Sequence, residues 1–214
     1  MVLKAIVFDV DGTLVDSVDA VVESFRLAAK ELGVGIDLDA VKRLLGLPSR
    51  EIARLVGVPS NLLDRFVELR RQYMGMLWSR YVKLYPDVIE VLSELRRRGF
   101  KLGVASGNIR SRLEFMLNYF GIAQYFDAVV AQDEVQRPKP YPDIIVEALR
   151  RLGVEPEESI YVGDTVIDVV CARSANVKIV IVKRPHVTDD LGADYVIRDL
   201  RELLNLVDEL ARSR

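Results

Sequence analysis

The 214-residue sequence predicts an α/β fold: a doubly wound parallel sheet interrupted by a helical insertion. Three observations predict it. Six short Val/Ile-rich runs alternate with helical patterns along the chain. The runs are apolar on both faces, as strands are when helices cover a parallel sheet on each side. The interval between the first and second runs is far too long for one crossover helix.

The strand candidates are "KAIVFD" (4–9), "KLGVAS" (101–106), "DAVVAQ" (127–132), "SIYVGD" (159–164), "KIVIVK" (178–183) and "DYVIRD" (194–199). Apolar residues three and four apart mark the helices between them: Val88, Leu92, Leu95; Leu113, Met116, Leu117, Phe120; Ile144, Ile145, Ala148, Leu149, Leu152; Leu200, Leu203, Leu204, Val207, Leu210. Gly99, Gly121 and Gly153 close three of these helices, where glycine accepts the left-handed conformation of a C-terminus. A βαβ crossover takes about 30 residues. Yet the second strand starts more than ninety residues after the first ends, and a helix at 87–98 fills little of that gap. The remainder has helical patterns of its own: Val18–Leu32 closed by Gly33, Leu38–Leu45 by Gly46, Pro48–Val56 by Gly57, and a longer one from Leu62 through Phe66, Tyr73, Met74 and Trp78 to Tyr81. A structureless loop of that length is improbable, so a helical cap at 17–82, inserted into a core of 1–16 and 83–214, is expected.

Composition excludes several function classes. Half the residues are hydrophobic and 29% are charged, enough for a sizeable core. A net charge of −2 gives no electrostatic case for nucleic acid or an anionic membrane as partner. No apolar run approaches the ~20 residues of a membrane span. The opening "MVLKAIVFD" enters a strand without the features of a signal peptide. The one cysteine, Cys171, cannot form an internal disulfide, which fits a packing residue in a reducing cytoplasm. The one histidine, His186, falls in the loop-like "KRPHVTDDLG" and reads as a surface residue, with no second His or Cys for a zinc site. Carboxylates, hydroxyls and lysines are left to carry chemistry.

Those groups gather at strand ends, beyond which open α/β sheets bind ligands. "AIVFDVDGTLVDS" places Asp9, Asp11 and Asp16 within eight residues of one another, where like charges repel unless a cation neutralises them. Asp9 can serve as a nucleophile and Asp11 as its acid/base partner; the alternative is a polar turn. Ser106-Gly107-Asn108 can cradle phosphate oxygens, and Lys139 in "RPKPYPD" projects a cation from proline-stiffened backbone. Asp164 and Asp168 in "GDTVID" lie four apart, a spacing that stacks them on one face at a helix start; Asp168 also suits an ordinary first-turn acid. Asp16 and Ser17 suit a cap for the helix near Val18. Carboxylate oxygens without His or Cys select Mg²⁺ over zinc.

"DVDGTLVDS", "VASGN", "RPKP" and "GDTVID", in that order around a cap-length insertion, resemble the four motifs of the haloacid dehalogenase superfamily over about Val2 to Val182. The insertion after the first motif resembles the C1-cap branch, which includes phosphoglycolate phosphatases and β-phosphoglucomutases. The resemblance implies a Rossmann-like core in which Asp9 forms an aspartyl-phosphate and Asp11 first protonates the leaving oxygen, then deprotonates water. It implies Mg²⁺ at Asp9, the Asp11 carbonyl and Asp164, with Asp168 orienting waters, and phosphoryl oxygens bound by Ser106, Gly107 and Lys139. Asp11 itself argues for phosphate esters, since dehalogenases and phosphonatases of this superfamily lack that carboxylate. "GLPSRE" resembles a cap loop bearing a phosphate-contacting arginine, which nominates Arg50 for specificity beside the alternative of a solvated helix-start residue. Two departures stand out. Asn176 replaces the glycine that usually closes the helix after "GDTVID", and it tolerates positive φ. Asp87 stands where glycine is common, a change expected to affect hinge flexibility and leave the chemistry intact.

The expectation is a Mg²⁺-dependent cytoplasmic phosphatase of small phosphorylated metabolites, phosphoglycolate-phosphatase-like, a monomer or homodimer. Its partners would be small phosphate esters, with no nucleic acid or membrane. The rivals are a β-phosphoglucomutase-type phosphomutase and a catalytically silent binding module of the same fold.

Overall fold

Side chains along a strand point alternately to opposite faces, and β1 (Ala5–Phe8) is apolar on both. Helices are therefore recruited to each side. In this computed structural model, which describes residues 2–187 and 189–212, β1 is followed by a short antiparallel pair, β2 (Val15–Asp16) and β3 (Lys83–Leu84). Then come β4 (Lys101–Ser106), β5 (Ala128–Ala131), β6 (Ser159–Gly163), β7 (Lys178–Val182) and β8 (Tyr195–Ile197). The main sheet is ordered β5-β4-β1-β6-β7-β8, with every pair parallel. This is a six-stranded, doubly wound, Rossmann-like core. The chain reverses its direction of progress across the sheet between β1 and β6, and the crevice beyond their carboxyl ends is where such sheets bind ligands.

The nine helices of the described residues are α1 (Val18–Leu32), α2 (Leu38–Arg43), α3 (Ser49–Leu55), α4 (Leu63–Tyr81), α5 (Val88–Arg97), α6 (Arg110–Tyr119), α7 (Asp143–Leu152), α8 (Val166–Ser174) and α9 (Glu202–Arg212). Ile6 and Phe8 pack with α5, α6 and α9 on one face, through residues such as Leu92, Leu113 and Leu203. Ala5 and Val7 pack with α7 and α8 on the other, through Ile144, Leu149 and Cys171. Between β2 and β3, helices α1 to α4 surround a separate apolar cluster that includes Phe25, Val41, Ile52 and Phe66.

The six strand runs and the helical periodicities appear close to where the sequence places them. Gly33, Gly99, Gly121 and Gly153 have positive φ, and so does Asn176 at 57°. The β2–β3 pair was not anticipated, because two-residue strands carry no periodicity. Met1, Thr188, Ser213 and Arg214 of the expected core segments lie outside the described residues.

Asp87 is more than a hinge substitution. It is fully buried, and its carboxylate accepts from Arg184 Nη1 at 2.8 Å, Arg184 Nη2 at 3.0 Å and the Leu200 N–H at 2.9 Å. Arg184 also donates to the Thr13 carbonyl from Nε (3.1 Å) and Nη2 (2.8 Å), and stacks 3.8 Å above the Tyr85 ring. One guanidinium thus ties the loop after β1 to the chain returning from the helical unit. Burial opposes ionisation of Asp87, but Arg184 and the Leu200 N–H outweigh it and hold the carboxyl below its usual 3.8.

Asp87→Ala is expected to lower unfolding stability by roughly 3–5 kcal/mol, because it strands a buried guanidinium, whereas Asp87→Leu with Arg184→Met should cost much less. A folded-state pKa below the unfolded one makes the ion pair's contribution complete at neutral pH and lost as pH falls through the folded value. Urea melts of wild type and Asp87→Ala should therefore differ constantly above about pH 5 and converge in more acidic buffer; a gap that widens in acid contradicts the assignment.

Candidate active site

The carboxyl ends of β1, β4 and β6 bring their polar residues together. Asp9 leaves β1, Ser106 ends β4 and Asp164 follows β6; all three are buried. The loop before α7 adds Lys139, whose side chain is fully enclosed. Its ammonium group has three hydrogens and three acceptors: Asp9 Oδ1 at 2.8 Å, Asp168 Oδ1 at 2.8 Å and Tyr161 Oη at 2.6 Å. Burial works against the charge on Lys139, but the two carboxylates prevail and raise its pKa well above 10.5.

The aspartates have different environments. Asp168 Oδ2 accepts from Thr165 Oγ1 at 2.6 Å and from the N–H groups of Thr165 and Asp164 at 3.1 and 3.3 Å. Thr165 in turn accepts from the Asp168 N–H, a capping box at the start of α8. Although burial penalises its charge, Lys139 and these donors hold the Asp168 carboxyl low. Asp9 has no such donors. Burial drives its pKa well up, Lys139 opposes this, and the charges of Asp168 and Asp164 add to the rise. Among the described residues, Asp9 Oδ2 has no hydrogen-bond partner, so one oxygen of this carboxylate is free.

Asp164 does not share a helical face with Asp168. It precedes the Thr165 N-cap, in the turn after β6, and the two meet because that turn folds back on the helix start. Its oxygens accept from Thr13 Oγ1 at 2.5 Å and from His186 Nε2 at 2.7 Å. Gly12 makes this approach possible: at φ 82°, a Cβ there would lie 2.2 Å from Asp164 Oδ2. His186 is not a solvated loop residue, since its ring contacts the acidic cluster with 18% of the side chain exposed.

Asp11 faces the other way, held by the Ser17 hydroxyl at Oδ1 and the Asn108 amide at Oδ2. Ser17 makes no capping bond to α1, so its hydroxyl serves Asp11 instead. Ser106 Oγ accepts from the Asn108 N–H and amide at 3.3 and 3.1 Å and donates to no described residue. Asp9, Asp11, Ser17, Gly107 and Asn108 line one side of a cavity of about 70 Å³; Leu45, Leu47, Ile52 and Arg70 of the helical unit line the other, with Arg112 of α6 at its edge. Arg50 is not among its lining residues. It is exposed on α3 and paired with Asp64.

Asp9, Asp164 and Asp168 each present an oxygen within 4.8 Å of the others. Three buried carboxylates against one buried ammonium, already fully hydrogen-bonded, leave excess negative charge. Hard oxygen donors in that state fit a divalent cation. Asp168 has both oxygens committed to protein donors, which suits it to orienting a ligand more than to binding directly.

Comparison with known proteins agrees with this geometry. The sequence profile for "Haloacid dehalogenase-like hydrolase" matches residues 6–182. The chain belongs to that family. It is 35% identical over 233 residues to the glyceraldehyde 3-phosphate phosphatase of Methanopyrus kandleri, covering 98% of this chain and 99% of that protein. It is 29% identical over 208 residues to the phosphoglycolate phosphatase of Aquifex aeolicus, covering 96% and 97%. A hydrolase structure from Pseudomonas syringae superposes with a TM-score of 0.86 at 23% identity, over 97% and 99% of the two chains, and establishes the fold. This haloacid dehalogenase-like hydrolase is thus an enzyme of the phosphatase type, and no helix of its described residues is long and apolar enough to cross a membrane.

Sequence reasoning missed several site residues of this hydrolase. Thr13 and Thr165 stand inside the quoted motifs, and Asn108 belongs to the expected Ser106-Gly107-Asn108 cradle, so their positions were visible but their bonds to Asp164, Asp168 and Asp11 were not. Arg70 left a clearer signal. It lies on the α4 stripe Phe66, Arg70, Met74, Trp78, a charge at helical spacing among buried residues. Tyr161, Arg184 and His186 gave none.

Lys139→Met in this hydrolase should lower unfolding stability by roughly 3–5 kcal/mol, since two buried carboxylates lose their counter-ion. A urea midpoint within experimental error of wild type is the contrary result.

Proposed function

We propose that this hydrolase is a Mg²⁺-dependent phosphatase of small phosphorylated metabolites, phosphoglycolate-phosphatase-like, acting through an aspartyl-phosphate on Asp9. The supporting observation is the asymmetry between its two central acids. Asp9 has one oxygen fixed by Lys139 and the other free, while Asp11, on the same side of the cavity, has both oxygens held by Ser17 and Asn108. In the first step, Asp9 Oδ2 attacks phosphorus, the bond from phosphorus to the leaving oxygen breaks, and Asp11 gives that oxygen its proton. In the second, Asp11 takes a proton from water, the water oxygen bonds to phosphorus, and Asp9 is released as carboxylate. Lys139 fixes Asp9 for attack. Ser106, whose hydroxyl hydrogen is uncommitted, and the Gly107 backbone receive phosphoryl oxygens.

Asp9 and Asp164, with the Asp11 carbonyl, would hold Mg²⁺, and Asp168 would orient its waters. When bound, the ion supplies charge neutralisation between nucleophile and phosphoryl group. The helical unit at 17–82 acts as a cap over the core segments 1–16 and 83–214. Its loop at Gly46 lies so close to the core that a Cβ on Gly107 would come within 3.1 Å of the Gly46 carbonyl oxygen. The small cavity suits a small metabolite, and the single, buried cysteine fits a cytoplasmic setting.

Phosphate release from phosphoglycolate and other small esters should be steady, vanish with EDTA and return with Mg²⁺. Asp9→Asn should lower kcat at least ~10³-fold, the scale of losing a group that acts in a catalytic unit, with its melting curve still cooperative. Phosphate release retained in Asp9→Asn, or indifferent to chelation, would overturn the mechanism.

A further inference from the structure

Arg70 and Arg112 are partly buried yet lack a carboxylate partner among the described residues. Arg50, Arg54, Arg65 and Arg110 each pair with a carboxylate. Arg70 and Arg112 form no ion pair within the described residues, and Arg70 Nε is buried with no hydrogen-bond partner. Aromatic rings hold them instead. The Arg70 guanidinium lies 5.4 Å from the centroid of Phe25, and that of Arg112 lies 5.3 Å from Trp78. A ring positions a guanidinium through its face and leaves in-plane N–H groups free to donate. Both line the cavity that contains Asp9 and Asp11. Burial lowers the Arg70 pKa to about 10, the charge of Arg112 adds to the fall and that of Asp11 opposes it, so Arg70 stays cationic at neutral pH. Two neighbouring, uncompensated guanidinium groups cost stability unless an anion joins them.

The transferring phosphoryl group is not that anion. On that reading the Ser106 loop receives it at Asp9, while Lys139, its three hydrogens committed to Asp9, Asp168 and Tyr161, fixes the nucleophile and is not among the residues lining this cavity. Arg70 is instead close enough to Asp11 to feel its charge, and Asp11 is the group that meets the leaving oxygen. The arginines therefore face the leaving group.

We propose that Arg70 and Arg112 form a subsite for a second anionic group, carboxylate or phosphate, carried on the substrate's leaving group. This rests on the phosphatase reading of Asp9 and Asp11, and it narrows the substrate class to phosphorylated small acids and phosphoanhydrides.

The test uses matched pairs with the full chain and Mg²⁺: 2-phosphoglycolate against its uncharged amide, and pyrophosphate against methyl phosphate. In wild type, kcat/KM should favour the charged member of at least one pair by tenfold or more; the first pair reports a carboxylate and the second a phosphate. Arg70→Met and Arg112→Met should each shrink that preference roughly 10- to 100-fold, the scale of a charge-assisted hydrogen bond, and Arg70→Lys should restore part of it. Arg65→Met, an exposed arginine paired with Glu68, should keep the wild-type preference. Thermal melts separate this role from a structural one: Arg70→Met should melt no lower than wild type, because it removes a buried unpaired charge. Wild type without preference in either pair, or an Arg70→Met variant that slows both members equally, overturns the subsite while leaving the phosphatase reading intact. If no ester is hydrolysed, the phosphatase reading fails, and the melting shift given by phosphonoacetate still decides the subsite: it should be smaller in Arg70→Met than in wild type, and an equal shift overturns the proposal.

Discussion

The Lys139 ammonium, enclosed and bonded at once to Asp9, Asp168 and Tyr161, is the interaction on which the arrangement of this site depends. A buried cation with three acceptors has no spare donor and no freedom to reorient. It fixes the loop before α7 against the ends of β1 and β6, and permits two carboxylates to approach each other in a low-dielectric interior. It does not neutralise both. Asp168, supplied with further donors by the capping box of α8, takes the larger share of stabilisation. Asp9 is left with an elevated pKa and a free oxygen. The difference between Asp9 and Asp168, far apart in the chain but bonded to one ammonium, thus follows from which further donors surround each one.

The scaffold restricts these groups from several directions. Thr13, in the loop after β1, donates its hydroxyl to Asp164 and its carbonyl accepts from Arg184, which is itself clamped by Asp87 and Tyr85. The loop bearing Asp11 and Gly12 is therefore anchored below by the acid cluster and laterally by a buried ion pair. The same guanidinium reaches the segment returning from the helical unit, so the position of that unit and the shape of the loop after β1 are mechanically linked. The substitution expected to affect hinge flexibility thus places a buried ion pair at the hinge.

Charge is also distributed in layers. Acids gather at the sheet side of the cavity and unpaired guanidinium groups face them from α4 and α6. An anion entering this field is drawn toward the arginines and away from the carboxylates, except where Lys139 compensates the acids. Such a polarised cavity orients a substrate as well as holding it.

The sequence by itself determined the layers, the strand order's raw material and the gathering of charged motif residues at the strand ends. Runs such as "KAIVFD" and the stripes of α5, α7 and α9 bury through local periodicity, and Asp9, Ser106, Lys139 and Asp164 sit in contiguous motifs at the ends of those runs. Periodicity and motif spacing are properties of neighbours in the chain, so one dimension suffices to read them. Tertiary structure alone decided which acids compete for Lys139, that Ser17 and Asn108 hold Asp11, and that His186 and Arg184 leave a surface-like loop to contact Asp164 and Thr13. It also separated Arg50, paired with Asp64 at the surface, from Arg70, unpaired in the cavity. The physical reason is that a charged side chain's role depends on which opposite charge reaches it first, and such partners can lie far away along the chain, 130 residues in the case of Lys139 and Asp9.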